Sequence, residues 1–115
     1  ARVPRFADAE IFEPLVESLD LWERLRIPWG RIAIIEEIAQ SLAIRGRPTE
    51  AIALWGAIDT TGIEAPAKAG RRRRTAAHIS AVSPAQAEDL SARGATMTLD
   101  AAIAYARALS SPRAR

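Results

Sequence analysis

The sequence predicts an all-α domain of about six helices, and three observations carry that prediction. Apolar residues recur at the i, i+3, i+4, i+7 spacing of a helix face in several segments. Proline, serine, threonine and glycine stand at the edges of those segments, where helices start and stop. No segment keeps the alternating apolar–polar pattern of a half-buried strand.

The strongest segment is Trp29 to Asp59, WGRIAIIEEIAQSLAIRGRPTEAIALWGAID, which reads as two helices joined by a tight turn. In the first, Ile35, Ile38, Ala39 and Leu42 form one stripe, widened by Ile32 and Ile34 to about half the circumference. That width predicts an inner helix, with Glu36 and Glu37 as its solvated edge. Gly46 stands where a helix end needs backbone freedom, and Pro48 where a first turn needs no N–H. In the second helix Ala51, Leu54, Trp55 and Ile58 are the apolar set. Small residues at Ala51, Ala53 and Gly56 predict the close approach of another helix.

Upstream, Phe12 to Leu25 reads as an amphipathic helix whose regular part begins near Pro14, because proline is tolerated only in a first turn. Leu15, Leu19, Trp22 and Leu25 mark its face, and Asp8 caps an extra turn before it. Downstream, Thr60-Thr61-Gly62 ends the hairpin, and a weaker helix is expected from Pro66 to Ala81. Ser83-Pro84-Ala85-Gln86 combines a Ser cap, a proline at the first helical position and a capping-box Gln. The helix it opens is expected to end at Arg93, with Gly94 just past it. Thr98 caps a last helix with Leu99, Ala102, Ile103, Ala106 and Leu109 on one face.

At 115 residues the chain is one domain, 1–115, with helical hairpins over 12–59 and C-terminal capping helices over 66–110. It opens at Ala1 in mid-pattern, which leads us to expect a C-terminal fragment of a longer protein. The absence of cysteine excludes a disulfide framework and thiolate metal sites and is compatible with a reducing cytoplasm. No apolar run approaches the ~18 residues of a membrane span. The composition is rich in arginine and alanine, and the net charge of +2 is uneven. Residues 1–64 carry seven Arg against eleven acids, net −4, while residues 65–115 carry nine bases against three acids, net +6.

The residue types do not assemble a reaction. His78, the single histidine, has no spacing to Ser80 or Ser83 that matches a nucleophile–base pair. Glu36 and Glu37 are adjacent, so they diverge by about 100° on a helix and cannot act as a glycosidase pair. There is no zinc ligand set and no glycine-rich phosphate loop, and no cofactor is implied. Trp22, Trp29 and Trp55 read as core anchors. Arg71, Arg72, Arg73 and Arg74 form the one conspicuous charge run, a basic contact patch for nucleic acid in one reading and a solvated, partly ion-paired face in the other. On a helix the four spread around the circumference, and a bridge to Glu10, Glu13 or Glu17 is open to them.

From Ile35 to Ile58 the hairpin resembles one tetratricopeptide repeat (TPR), the helix-turn-helix unit of about 34 residues that stacks into solenoids. Ala39, Leu42, Gly46, Ala51 and Trp55 occupy its small, large, turn, small and large positions, while Ile58 and Ile35 depart from the usual Ala and Trp. More broadly, RGRPTEAIALWGAID, a basic helix and then GATMTLDAAIAYA are similar in order to the C-terminal region of large actinobacterial ATPase transcriptional regulators of the LuxR and AfsR types. That resemblance implies the end of an α-solenoid acting as a non-catalytic sensor or protein-interaction module. It would relay a signal to ATPase and DNA-binding parts elsewhere in the same polypeptide, with DNA contacted only there and no membrane involved. Two alternatives stand beside it: a free-standing TPR adaptor that binds a peptide, and a basic nucleic-acid-binding helical domain built on Arg71 to Arg74. Leu15, Leu19 and Trp22 form the face through which a homodimer is expected, since a solenoid cut at its first helix leaves them uncovered.

Overall fold

The computed structural model describes residues 8–63 and 68–110. They form six helices and no strand: α1 (Asp8–Leu25), α2 (Pro28–Ile44), α3 (Pro48–Asp59), α4 (Lys68–Ile79), α5 (Pro84–Ala95) and α6 (Leu99–Ser110).

α1 is longer than its proline suggests. It begins at Asp8 and carries Pro14 inside the helix, on the exposed side, where water can replace the lost amide hydrogen bond. Its end is a Schellman turn: the Arg26 amide donates to the Glu23 carbonyl at 3.1 Å and the Ile27 amide to the Trp22 carbonyl at 3.3 Å. α2 ends the same way, through Gly46 to Ala43 at 3.2 Å and Arg47 to Leu42 at 2.8 Å. The two turns differ in the residue that takes the left-handed conformation. Gly46 does so at φ 86, as its place in the sequence predicts, whereas the first turn holds Arg26 at φ 57. A Cβ in that region is strained, so Arg26→Gly is expected to raise stability by about 1 kcal/mol, read by urea denaturation.

The core is centred on the α2–α3 hairpin. On α2, Ile32, Ile34, Ile35, Ile38, Ala39 and Leu42 are buried, as befits an inner helix. α3 goes further: every residue from Ala51 to Ile58 is buried, because α2, α5 and α6 enclose it. The approach of α5 depends on missing side chains. A Cβ on Gly56 would lie 2.2 Å from the Ser91 carbonyl oxygen, and one on Gly94 would lie 1.9 Å from that of Ala53. Gly94 therefore works as a packing residue inside α5, not as a stop beyond Arg93; the helix runs on to Ala95. The two expected caps are present. Ser83 Oγ accepts from the Gln86 amide at 3.1 Å, and Thr98 Oγ1 from the Ala101 amide at 3.0 Å.

α6 packs against α1, α2 and α3 with Ala102, Ile103 and Ala106 buried. Arg107 of α6 pairs with Asp20 and Glu23 of α1, and the Arg47 guanidinium donates to the Leu109 carbonyl at 3.1 Å. First and last helices thus meet. In an extended repeat array each unit touches only its neighbours. Here the ends close on one another, and the radius of gyration of 13.3 Å matches the roughly 13 Å of a compact domain of about this length.

That closure changes the reading of α1. Leu19 is fully buried, and Leu15 and Trp22 pack against the core, so the face expected to drive self-association is consumed within the chain. The tryptophans also divide. Trp29, expected in the core, is 47% exposed and lies in a tilted stack on Trp22 with centroids 5.1 Å apart.

Candidate functional site

The arginine run opens α4, a helix with little apolar material. Along it, Arg73, Arg74, Ala76, Ala77 and His78 are exposed, while Thr75 is buried and Arg72 and Ile79 are partly so. Residues three to four apart share a helix face. Arg72, Thr75 and Ile79 therefore make the inward line, and the run splits by direction. The side chain of Arg71 lies outside the described residues.

Arg72 reaches two helices at once. Its Nε and Nη2 donate to the two carboxylate oxygens of Glu36 on α2, each at 3.0 Å. Its Nη1 and Nη2 donate to the two oxygens of Asp59, at the end of α3, each at 2.9 Å. Four of the five guanidinium N–H groups are thereby used. The guanidinium carbon also stands 5.1 Å from the centroid of the Trp55 ring, within cation–π reach. Burial pushes the Arg72 pKa down, but hydrogen bonds and Coulombic attraction from Asp59 and Glu36 outweigh it and the net shift is upward.

Glu36 is the residue the sequence misplaces. It is 0% exposed, not a solvated edge. The spacing contains the hint: Glu36 lies four residues after Ile32 and three before Ala39, both fully buried, which puts it on the inner arc. A carboxylate there needs a cation with matching geometry, and the bidentate fork of arginine supplies it. Arg72 does not take the bridge to Glu10, Glu13 or Glu17; its partners are Glu36 and Asp59.

Beside this clamp runs an open cleft of about 600 Å³ between α4 and α5. Ile52 and Trp55 of α3 form its floor. Arg72 and Ile79 of α4 face Ala87, Ser91 and Ala92 of α5, with Asp59 and Glu88 at the rim. The volume lies within the range of small-ligand clefts, and the lining is mainly apolar with a few polar groups. The indole Nε1 of Trp55 is buried without a hydrogen-bond partner, as is Nε of Arg31. Among the described residues no group of three or more His, Cys, Asp or Glu side chains is placed to hold a metal ion. His78 is exposed on α4, and no described helix is long and apolar enough to cross a membrane. No protein-family model, curated protein or solved structure matches the chain.

Proposed function

We propose that this chain is a non-catalytic sensor or protein-interaction module of a transcriptional regulator, relaying a signal to ATPase and DNA-binding parts outside it. The observation that carries the reading is the attachment of α4. A helix with few inward apolar residues is tied to both α2 and α3 by the Arg72 guanidinium, beside a cleft whose far wall is α5. On this reading, what fills the cleft changes the free energy of that attachment, and the clamp is the contact through which a signal acts.

In this reading α2 and α3 are a TPR-like hairpin, and α4, α5 and α6 seal it, with α6 closing back onto α1. The rival adaptor reading needs an open concave groove on the hairpin; α5 packs along α3, and α6 packs on both α2 and α3. The nucleic-acid reading needs the arginine run as a unit, whereas Arg72 is engaged inward.

The test is made in the intact polypeptide that contains this chain. The reading expects a nucleotide-binding ATPase module and a helix-turn-helix in the same reading frame. It also expects Ala92→Trp, which fills the cleft from the exposed wall of α5, to change ATP hydrolysis or DNA binding. Absence of those modules, or unchanged activities in the folded variant, overturns it.

A further inference from the structure

With Leu15, Leu19 and Trp22 turned inward, α1 presents a second line to solvent. Leu21 and Leu25 on it are 48% and 53% exposed; Pro14 is exposed and Ser18 partly so. The steps of four, three and four from Pro14 to Leu25 are the seam spacing of paired helices. At about 100° per residue the four fall within about 60° of arc. The line is also graded in size, with the small Pro14 and Ser18 in its first half and the large Leu21 and Leu25 in its second. Glu17 and Arg24, both exposed, flank it together on one side. On the other side lie Leu15 and Trp22, with exposed Trp29 stacked on Trp22.

We propose that this face is the docking surface for a second copy of the chain, with the two α1 helices antiparallel. Size and charge complementarity together select that partner and that direction. Reversing one helix sets Leu21 of each copy against Ser18 of the other and Leu25 against Pro14, so each large side chain meets a small one. In the same register the dyad brings like flanks together, and Glu17 of each copy meets Arg24 of the other. Both ion pairs form on one side of the seam. A parallel pair would instead set Glu17 and Arg24 against the flank of Leu15 and Trp22, where no opposite charge awaits them. The seam is about three turns long, so association is concentration-dependent, not obligate.

The chain has no cysteine, which makes the register directly readable. In sedimentation equilibrium up to about 1 mM the wild type forms a dimer that Leu21→Glu weakens at least about tenfold, with unchanged circular dichroism because Leu21 is a surface residue. Glu17→Arg and Arg24→Glu each weaken it, and the double exchange restores it, which no merely structural role would produce. Under mild oxidation a mixture of Ser18→Cys and Leu21→Cys chains links into a mixed dimer faster than either variant links with itself, because those two positions face each other. Ala77→Cys, on the exposed face of α4, links much more slowly than the mixture. A monomer throughout the range overturns the proposal. So does a dimer indifferent to Leu21→Glu and to the charge exchanges, or linking through position 77 as fast as in the mixture, since another surface would then form the pair.

Discussion

Arg72→Gln is expected to lower folding stability by about 4 kcal/mol, the largest effect of any single charge removal among the described residues. The variant leaves the Glu36 carboxylate at 0% exposure without the guanidinium that takes both of its oxygens. The reciprocal variant, Glu36→Gln, is expected to cost less, about 3 kcal/mol, because Arg72 is partly exposed and keeps Asp59. That order is specific to the geometry: a carboxylate with one cation loses more than a cation with two carboxylates. Replacing both residues by Met removes both charges and is expected to be milder than either single change. Arg73→Gln and Arg74→Gln, by contrast, alter exposed side chains and fall within about 0.5 kcal/mol of wild type. Urea denaturation monitored by circular dichroism gives all of these values.

The second large effect belongs to the α3–α5 crossing. Gly94→Ala gains helix propensity of about 1 kcal/mol, yet its Cβ would lie 1.9 Å from the Ala53 carbonyl oxygen and 2.8 Å from the carbonyl carbon. Those are backbone atoms of a buried helix, which no rotamer change can move. The helices must separate, and overpacking outweighs propensity for a net loss of about 2 kcal/mol. Gly56→Ala meets the Ser91 backbone from the opposite helix at 2.2 Å and is expected to behave alike. Since either methyl group parts the same pair of helices, the double variant is expected to lose less than the sum. Additive losses, or a stabilised Gly94→Ala, would mean that propensity governs the site.

Much of the fold is legible in the sequence where local rules act alone. Gly46 and the Ser83 and Thr98 caps satisfy backbone groups within a few residues, and Pro48 removes an amide that would lack a partner, so sequence and structure agree on them. The small residues of α3 announce a close neighbour correctly, although they do not say that it is α5. Three things escape for a shared reason: they are settled by partners far away in sequence. Glu36 looks solvated until a guanidinium 36 positions later reaches it. Leu19 looks uncovered until α1 is packed against α2 and α6. Gly94 looks like a stop signal until its missing Cβ is set against the Ala53 carbonyl. Pro14 is the local exception, misread because the penalty for an interior proline shrinks on a solvated face.

The candidate site was half visible. The arginine run is plain in the sequence as a charge cluster, but a run has no direction until the helix is turned, and turning it splits Arg72 from Arg73 and Arg74. Neither Glu36 nor Asp59 carries a motif; what brings them to one partner is Arg72, when α4 closes over the hairpin.

The most direct test of this account is the double-mutant cycle between Glu36 and Arg72, built from the two single Gln variants and their combination. An internal clamp predicts a coupling free energy of about 2 kcal/mol or more, with the double variant more stable than the sum of the single losses allows. Coupling within about 0.5 kcal/mol of zero would contradict it, and would mean that α4 is held to the hairpin by something other than Arg72.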